Sequence, residues 1–166
     1  MRQKKDRIVS IYVRASAKED YAALLPIARE TQEKHVEGLP HIFQKGTAGI
    51  PEEYFLGLLA SDSKIMYVAE LEQSIAGYVI MELSEVSYLD ILVPRIVAFI
   101  IDIAVMKRYQ GKCIGYALFQ QSVEWAKAKR ADSLDLMVWE FNQDAIAFYE
   151  RQGMKSMNRT MSLELQ

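Results

Sequence analysis

Residues 96–129 read IVAFIIDIAV-MKRYQGKCIG-YALFQQSVEWAKAK, and this stretch decides the fold. Ile96 to Val105 is apolar and β-branched apart from Asp102, which is the composition of a buried strand. MKRYQGKCIG collects small and polar residues in a turn. Ile114 to Lys129 then places Leu118, Phe119, Val123, Trp125 and Ala126 at helical spacing, giving a helix with one broad apolar face. A buried strand feeding directly into an amphipathic helix predicts a crossover to a parallel neighbour. The expected neighbour is the run Ser133 to Trp139.

Working outward, residues 8–14 (IVSIYVR) alternate at period two and predict a first strand. Ser16 and Glu19 have capping-box spacing, and Tyr21, Leu24, Leu25 and Ala28 follow at helical intervals, so a helix is expected there. Gly38 and Pro40 end it. His41 to Gly49 reads as a loop, and Pro51 opens a second helix through Tyr54, Phe55, Leu58 and Leu59. Strands are expected over 65–71 and 75–83, joined by a hairpin turn at Glu72 to Ser74. Ser84 to Arg95, with Pro94, reads as a variable loop. A short helix over Asp144 to Gln152, ended by Gly153, and a last strand over Met154 to Leu165 complete the chain. The fold class that follows is α/β, of the α+β type. Its core is a mixed, mainly antiparallel sheet of about six to seven strands with helices on both faces.

The chain has 166 residues and a formal net charge of −2. That length supports one core, so a single domain over 1–166 is expected. The charge offers no positive field for a nucleic-acid backbone, and the basic clusters Lys4, Lys5, Arg7 and Lys127, Lys129, Arg130 read as solvated faces. Cys113 is the sole cysteine, which excludes an intrachain disulfide and fits a reducing, cytoplasmic setting. No apolar run reaches the ~20 residues of a spanning helix. No membrane association, no nucleic acid and no metal is expected, and a homodimer stays open.

In the turn, the backbone N–H groups at the start of the helix have no internal partner and carry the positive end of its dipole, a suitable seat for a pyrophosphate. Conformational need alone also explains small residues there. A second segment, Val138-Trp139-Glu140-Phe141-Asn142-Gln143-Asp144-Ala145-Ile146-Ala147-Phe148-Tyr149-Glu150-Arg151-Gln152-Gly153-Met154, lies about thirty residues downstream. Together the two resemble the GNAT family of N-acetyltransferases. Gln110 to Gly115 is similar to that family's Q/R-x-x-G-x-G/A loop, and the second segment to its V-x-x-x-N-x-x-A-x-x-F-Y-x-x-x-G-F/M pattern. Val13 to Asp20, Val68 to Glu70, Gly77-Tyr78 and Ile103 to Val105 extend the likeness over most of the chain.

The resemblance implies the acyl-CoA N-acyltransferase fold and acetyl-CoA as acyl donor. It further implies that Gln110, Gly111, Lys112, Cys113, Ile114, Gly115 and Tyr116 cradle the pyrophosphate. Ile103, Ala104 and Val105 would pair with the pantetheine arm where two parallel strands splay after residues near Val105 and Val138. Tyr149 would give a proton to the departing thiolate. The acceptor is expected to be a primary amine of a small molecule or of a protein or peptide N-terminus. An acyl-CoA-binding sensor or scaffold without catalysis is the alternative, because Cys113 replaces a family glycine. That cysteine reads either as a small, semi-buried hydrophobe or as a reactive thiol at a helix N-terminus.

An alkylamine is neutral in only about 0.04% of molecules at pH 7, so a base or a desolvating pocket must help it react. Asp102 is the candidate base, placed by period two on the face opposite Ile101 and Ile103; pairing with a structural Arg or Lys is the other reading. Glu140 is the second choice. Asn142 suits a helix N-cap with a coenzyme contact besides. His35 and His41 are candidates for the acceptor side, through the pattern His35, Pro40, Phe43.

Overall fold

The computed structural model describes residues 10–46, 49–86 and 91–165. Chain order is β1 (Tyr12–Ala15), α1 (Tyr21–Gly38), α2 (Glu52–Leu59), β2 (Lys64–Leu71), β3 (Ser74–Val86), β4 (Arg95–Val105), α3 (Ile114–Ala128), β5 (Ser133–Leu136) and α4 (Gln143–Arg151). The sheet runs β1-β2-β3-β4-β5, antiparallel except for the parallel β4–β5 pair. The mixed sheet and the crossover through α3 are therefore as expected. Glu72 and Gln73, with φ of 50° and 64°, make the two-residue turn between β2 and β3.

Each face of the sheet has its own core. Leu24 and Ile27 of α1, with Phe55 and Leu58 of α2, pack on Met66, Val68, Tyr78 and Ile80. On the other face Leu118, Phe119 and Trp125 of α3 pack on Val79, Met81, Ala98 and Ile100. β3 is buried on both faces from Ala76 to Met81, as the middle strand of a covered sheet must be. Gly77 is required there, because a Cβ would lie 2.6 Å from the carbonyl oxygen of Ala104.

Several expectations need correction. The sheet has five strands among the described residues, not six or seven, because Met154 to Leu165 pairs with nothing. Met157, Met161, Leu163 and Leu165 do recur in strand-like fashion, but all are exposed, and β5 offers only a four-residue edge. β5 itself stops at Leu136 instead of Trp139. The first helix is not capped by Ser16 and Glu19. Asp20 stands at its N-cap position without a side-chain cap bond; its carboxylate instead accepts from the Ala17 N–H at 2.7 Å, closing the short 3-10 turn Lys18–Asp20 ahead of the helix, and from both terminal nitrogens of Arg14. Residues 8 and 9 of the first predicted strand, residues 87–90 of the predicted 84–95 loop, and Lys4, Lys5 and Arg7 lie outside the described residues. β3 and β4 extend into that predicted loop, to Val86 and from Arg95.

One irregularity in β4 shapes everything that follows. Ile80 pairs with Asp102 while Met81 pairs with Ile100, so Ile101 is an extra residue, a β-bulge. Alternation is broken at that point. Ile100 faces α3, whereas Ile101 and Asp102 both line a cleft on the α1 side. The period-two expectation that Asp102 and Ile101 face opposite ways is thereby overturned. Ile103 returns to the α3 face and Ala104 to the α1 face, as the ladder requires.

Candidate active site

β4 and β5 pair only from Val97↔Ser133 to Ile100↔Leu136, so they part company well before the expected points near Val105 and Val138. Beyond Ile100, β4 keeps β3 on one side and loses its partner on the other. The N–H of Met106 donates to Ala76 of β3 at 2.9 Å. By the alternation of an antiparallel ladder, the N–H groups of Ile103 and Val105 point to the open side. There the side chain of Gln110 donates to the Val105 carbonyl at 3.2 Å.

The loop that follows presents a run of free donors. The backbone N–H groups of Gly111 through Tyr116 have no acceptor among the described residues. Helix α3 begins at Ile114 with no side-chain cap, so its first-turn amides and positive dipole end face outward. Arg108 and Lys112 both lie against the ring of Tyr109, at 4.8 and 5.4 Å, and add positive charge beside these amides. Gly111 and Gly115 leave the approach open. This chemistry suits a pyrophosphate, and the unpaired β4 edge suits the amides of a pantetheine arm.

Cys113 is the exception within the cradle. It is exposed, not semi-buried, and takes the left-handed conformation with φ 62° and ψ 10°. A glycine adopts that backbone freely; an L-residue does so at a cost.

Asp102 sits half-buried on the α1 side of the open strand. The Tyr78 hydroxyl donates to its carboxylate at 2.6 Å. Burial pushes the Asp102 carboxyl above the usual carboxylate range, opposed by the Tyr78 hydroxyl, His35 and the Ile103 N–H. Burial first, then the neighbouring carboxylate, pushes Tyr78 well up. Burial holds His35 below the usual imidazole range, with Asp102 opposing and Lys34 adding to it. Tyr149 of α4 is pushed up to about 12 by burial and then by Asp102. Its ring packs against Phe148 and Phe119 on the α3 side. Asp102 and Tyr149 thus flank the parting of β4 from β5.

The remaining candidates divide. His35 lines the cleft, stacked on Phe43 with ring centres 4.9 Å apart. His41 is exposed beside Glu164, away from the cleft. Glu140 is on an exposed turn, where its carbonyl accepts from the Gln143 side chain. Asn142 stands at the N-cap position of α4, but its side chain caps nothing; Oδ1 accepts from Lys34 Nζ at 2.8 Å. Among the described residues no Lys or Arg forms an ion pair with Asp102, so the structural-pairing reading finds no partner. Sequence reasoning gave Tyr78 no role at the site. Its link to Asp102 depends on the β3–β4 register, which no local pattern encodes.

Among the described residues there is no cluster of His, Cys, Asp and Glu that could hold a metal, and no helix long and apolar enough to cross a membrane.

A model described as the Acetyltransferase (GNAT) family matches residues 26–154. An uncharacterized N-acetyltransferase of Methanocaldococcus jannaschii, MJ1207, is 31% identical over 102 residues. The match takes in 61% of this chain and 44% of that protein, less than half of its length. A mutant of the BH1408 protein of Bacillus halodurans superposes with a TM-score of 0.90 at 26% identity, covering 93% of this chain and 99% of that one. An aminoglycoside acetyltransferase from an uncultured soil metagenomic sample, crystallised with sisomicin, gives 0.70 at 17% identity, covering 94% and 95%. The aminoglycoside N-acetyltransferase AAC(6')-Iy in complex with CoA gives 0.69 at 13% identity, covering 97% and 98%. The last two likenesses concern the fold alone.

Proposed function

Because the chain belongs to the Acetyltransferase (GNAT) family, we propose that it is a single-domain, cytoplasmic enzyme that moves the acetyl group of acetyl-CoA to a primary amine of a small molecule or of a protein or peptide N-terminus. The observation that carries this reading is the pairing of two features on one strand end. A run of unpaired amides from Gly111 to Tyr116 follows the open edge of β4, and a carboxylate and a tyrosine flank that edge.

The residues divide the work. Gly111 to Tyr116 bind the pyrophosphate through main-chain N–H groups, with Gln110 fixing the loop to Val105. The outward N–H and C=O groups of Ile103 to Val105 hold the pantetheine arm as if it were a strand. The Val105 N–H would donate to the thioester oxygen as it gathers charge. Bound acetyl-CoA supplies an activated acyl carbon. Asp102 takes one proton from the acceptor ammonium, freeing the lone pair that forms the new C–N bond. The C–S bond breaks as the Tyr149 hydroxyl gives its proton to the sulfur, and the second proton of the acceptor nitrogen, lost as the amide forms, returns Tyr149 to its neutral form. Asn142, tied to Lys34, contributes to coenzyme binding only through its position at the start of α4.

Titration calorimetry with acetyl-CoA, coupled to an assay of free thiol released in the presence of amines, tests the reading. Heat on binding together with amine-dependent thiol release supports it, and absence of any heat with CoA or acetyl-CoA overturns it. One observation favours a second reading, a module that binds acyl-CoA without turnover: Cys113 occupies a left-handed position in the cradle. Tight binding with no thiol release on any amine would select it.

A further inference from the structure

The cleft on the α1 side of Asp102 has a volume of about 230 Å³. One helical face of α1 supplies Ala28, Thr31, Gln32 and His35, at spacings of three, four and seven, and Ile50 and Ile101 close it. No Lys or Arg lines it. Lys34, next to His35, is bonded to Asn142 and is not part of the lining. Asp102 is therefore the single anionic group in a confined, partly apolar cleft, with a hydroxyl partner and no counter-charge among the described residues. An ionised carboxylate in such surroundings costs free energy until a cation joins it. The volume of the cleft is below the ~300–1,000 Å³ of pockets that enclose drug-sized ligands, so its walls fit a small acceptor.

Building on the acetyltransfer reading, we infer that the acceptor is a short, unbranched aliphatic primary amine. It enters amine first as an ammonium ion, pairs with Asp102, and carries no anionic group along the part that fills the cleft. The alkyl stem lies against Ala28, Ile50 and Ile101, and Thr31, Gln32 and His35 hydrogen-bond a polar far end. Diamines and simple alkylamines are accepted. Amino acids with the same carbon chain are rejected, because their carboxylate is brought close to Asp102 with no cation to receive it. A peptide N-terminus, whose first residue carries backbone and side chain together, overfills the space.

The test is calorimetric binding of 1,4-diaminobutane, butylamine, 4-aminobutanoate and a dipeptide amide to the full chain, with and without saturating CoA, so that no turnover occurs. The diamine and the alkylamine are expected to bind at least tenfold more tightly than the other two. Asp102→Asn should erase that preference while leaving acetyl-CoA affinity unchanged. Gln32→Lys, which supplies the missing cation from a half-buried helical position, should weaken the amines at least tenfold and serves if Asp102→Asn does not fold. Equal or tighter binding of 4-aminobutanoate or of the dipeptide amide overturns the inference, as does a preference that survives either substitution or a chain that binds acetyl-CoA and none of the amines. Failure of the acetyltransfer reading looks different. The amines then bind with the stated preference while CoA and acetyl-CoA give no heat.

Discussion

Replacing Cys113 by glycine should stabilise the chain, an unusual direction for a substitution that removes side-chain atoms. With φ 62° and ψ 10°, Cys113 holds a backbone conformation that costs an L-residue roughly 1–2 kcal/mol. Glycine adopts it without that penalty but loosens the unfolded chain, which returns about 0.4–1 kcal/mol. The difference is a gain of about 0.5–1 kcal/mol. For a chain of this size it corresponds to a Tm higher by roughly 1–4 °C. Urea unfolding under reducing conditions should show a higher midpoint at unchanged slope. Two controls sharpen the reading. Cys113→Ser removes the thiol and keeps the Cβ, so it should gain nothing. Gly111→Ala, at φ 74° with no atom within 4 Å of the added Cβ, should lose about 0.5–1 kcal/mol from backbone strain alone. Opposite signs at two positions in one loop are the signature of backbone strain. A serine variant as stable as the glycine variant, or a glycine variant no more stable than the natural chain, would refute the reasoning. The same substitution removes bulk from among the free amides, so acetyl-CoA affinity should rise in the calorimeter.

Tyr149→Phe should lower turnover by about 10 to 100-fold, since a thiol with a pKa near ~8.5 leaves without much help; acetyl-CoA affinity, measured separately, should hold, and the reverse pattern would assign the ring to packing. Gly77→Ala presses a methyl group against the Ala104 carbonyl oxygen and should cost about 1–3 kcal/mol in urea unfolding, with no loss if β3 can shift away. Arg14 holds the Asp20 carboxyl below the usual carboxylate range, helped by the Ala17 N–H and opposed by burial. A depressed folded pKa means this contribution is complete above the unfolded value near ~3.9 and is lost as pH falls through the folded value. Arg14→Met should therefore cost about 1–3 kcal/mol at pH 7 and progressively less below about pH 4, measured as a gap between two urea midpoints that closes on acidification. A gap that stays constant with pH would place the effect in packing.

How far each half of the site was legible follows from what it is made of. The half proposed to hold the coenzyme is backbone. Strand β4, the turn and helix α3 are contiguous, and each announces itself in its own residues: an apolar run, then Gly111 and Gly115 among polar neighbours, then Leu118, Phe119 and Trp125 at helical spacing. The half proposed to receive the acceptor is side chains from α1, β3 and β4 that meet only in the folded sheet. Period two misplaced Asp102 because a bulge is a property of two strands, and the extra residue is defined by which partner it fails to pair with. Met154 to Leu165 misled in the opposite sense. Its spacing suits a strand, but a strand needs an edge, and β5 ends after four residues. Even the capping error has this origin. Ser16 and Glu19 satisfy the local rule, yet Arg14, fixed by its place in β1 opposite Val68, holds the Asp20 carboxylate against the Ala17 N–H, so a short 3-10 turn precedes the helix in place of a capping box at Ser16. The bulge that defeated the period-two expectation also puts Ile101 and Asp102 on one wall, and an aspartate in regular alternation behind Ile101 would face α3 instead. On the proposed reading, the wall that meets the acceptor is therefore set by one inserted residue.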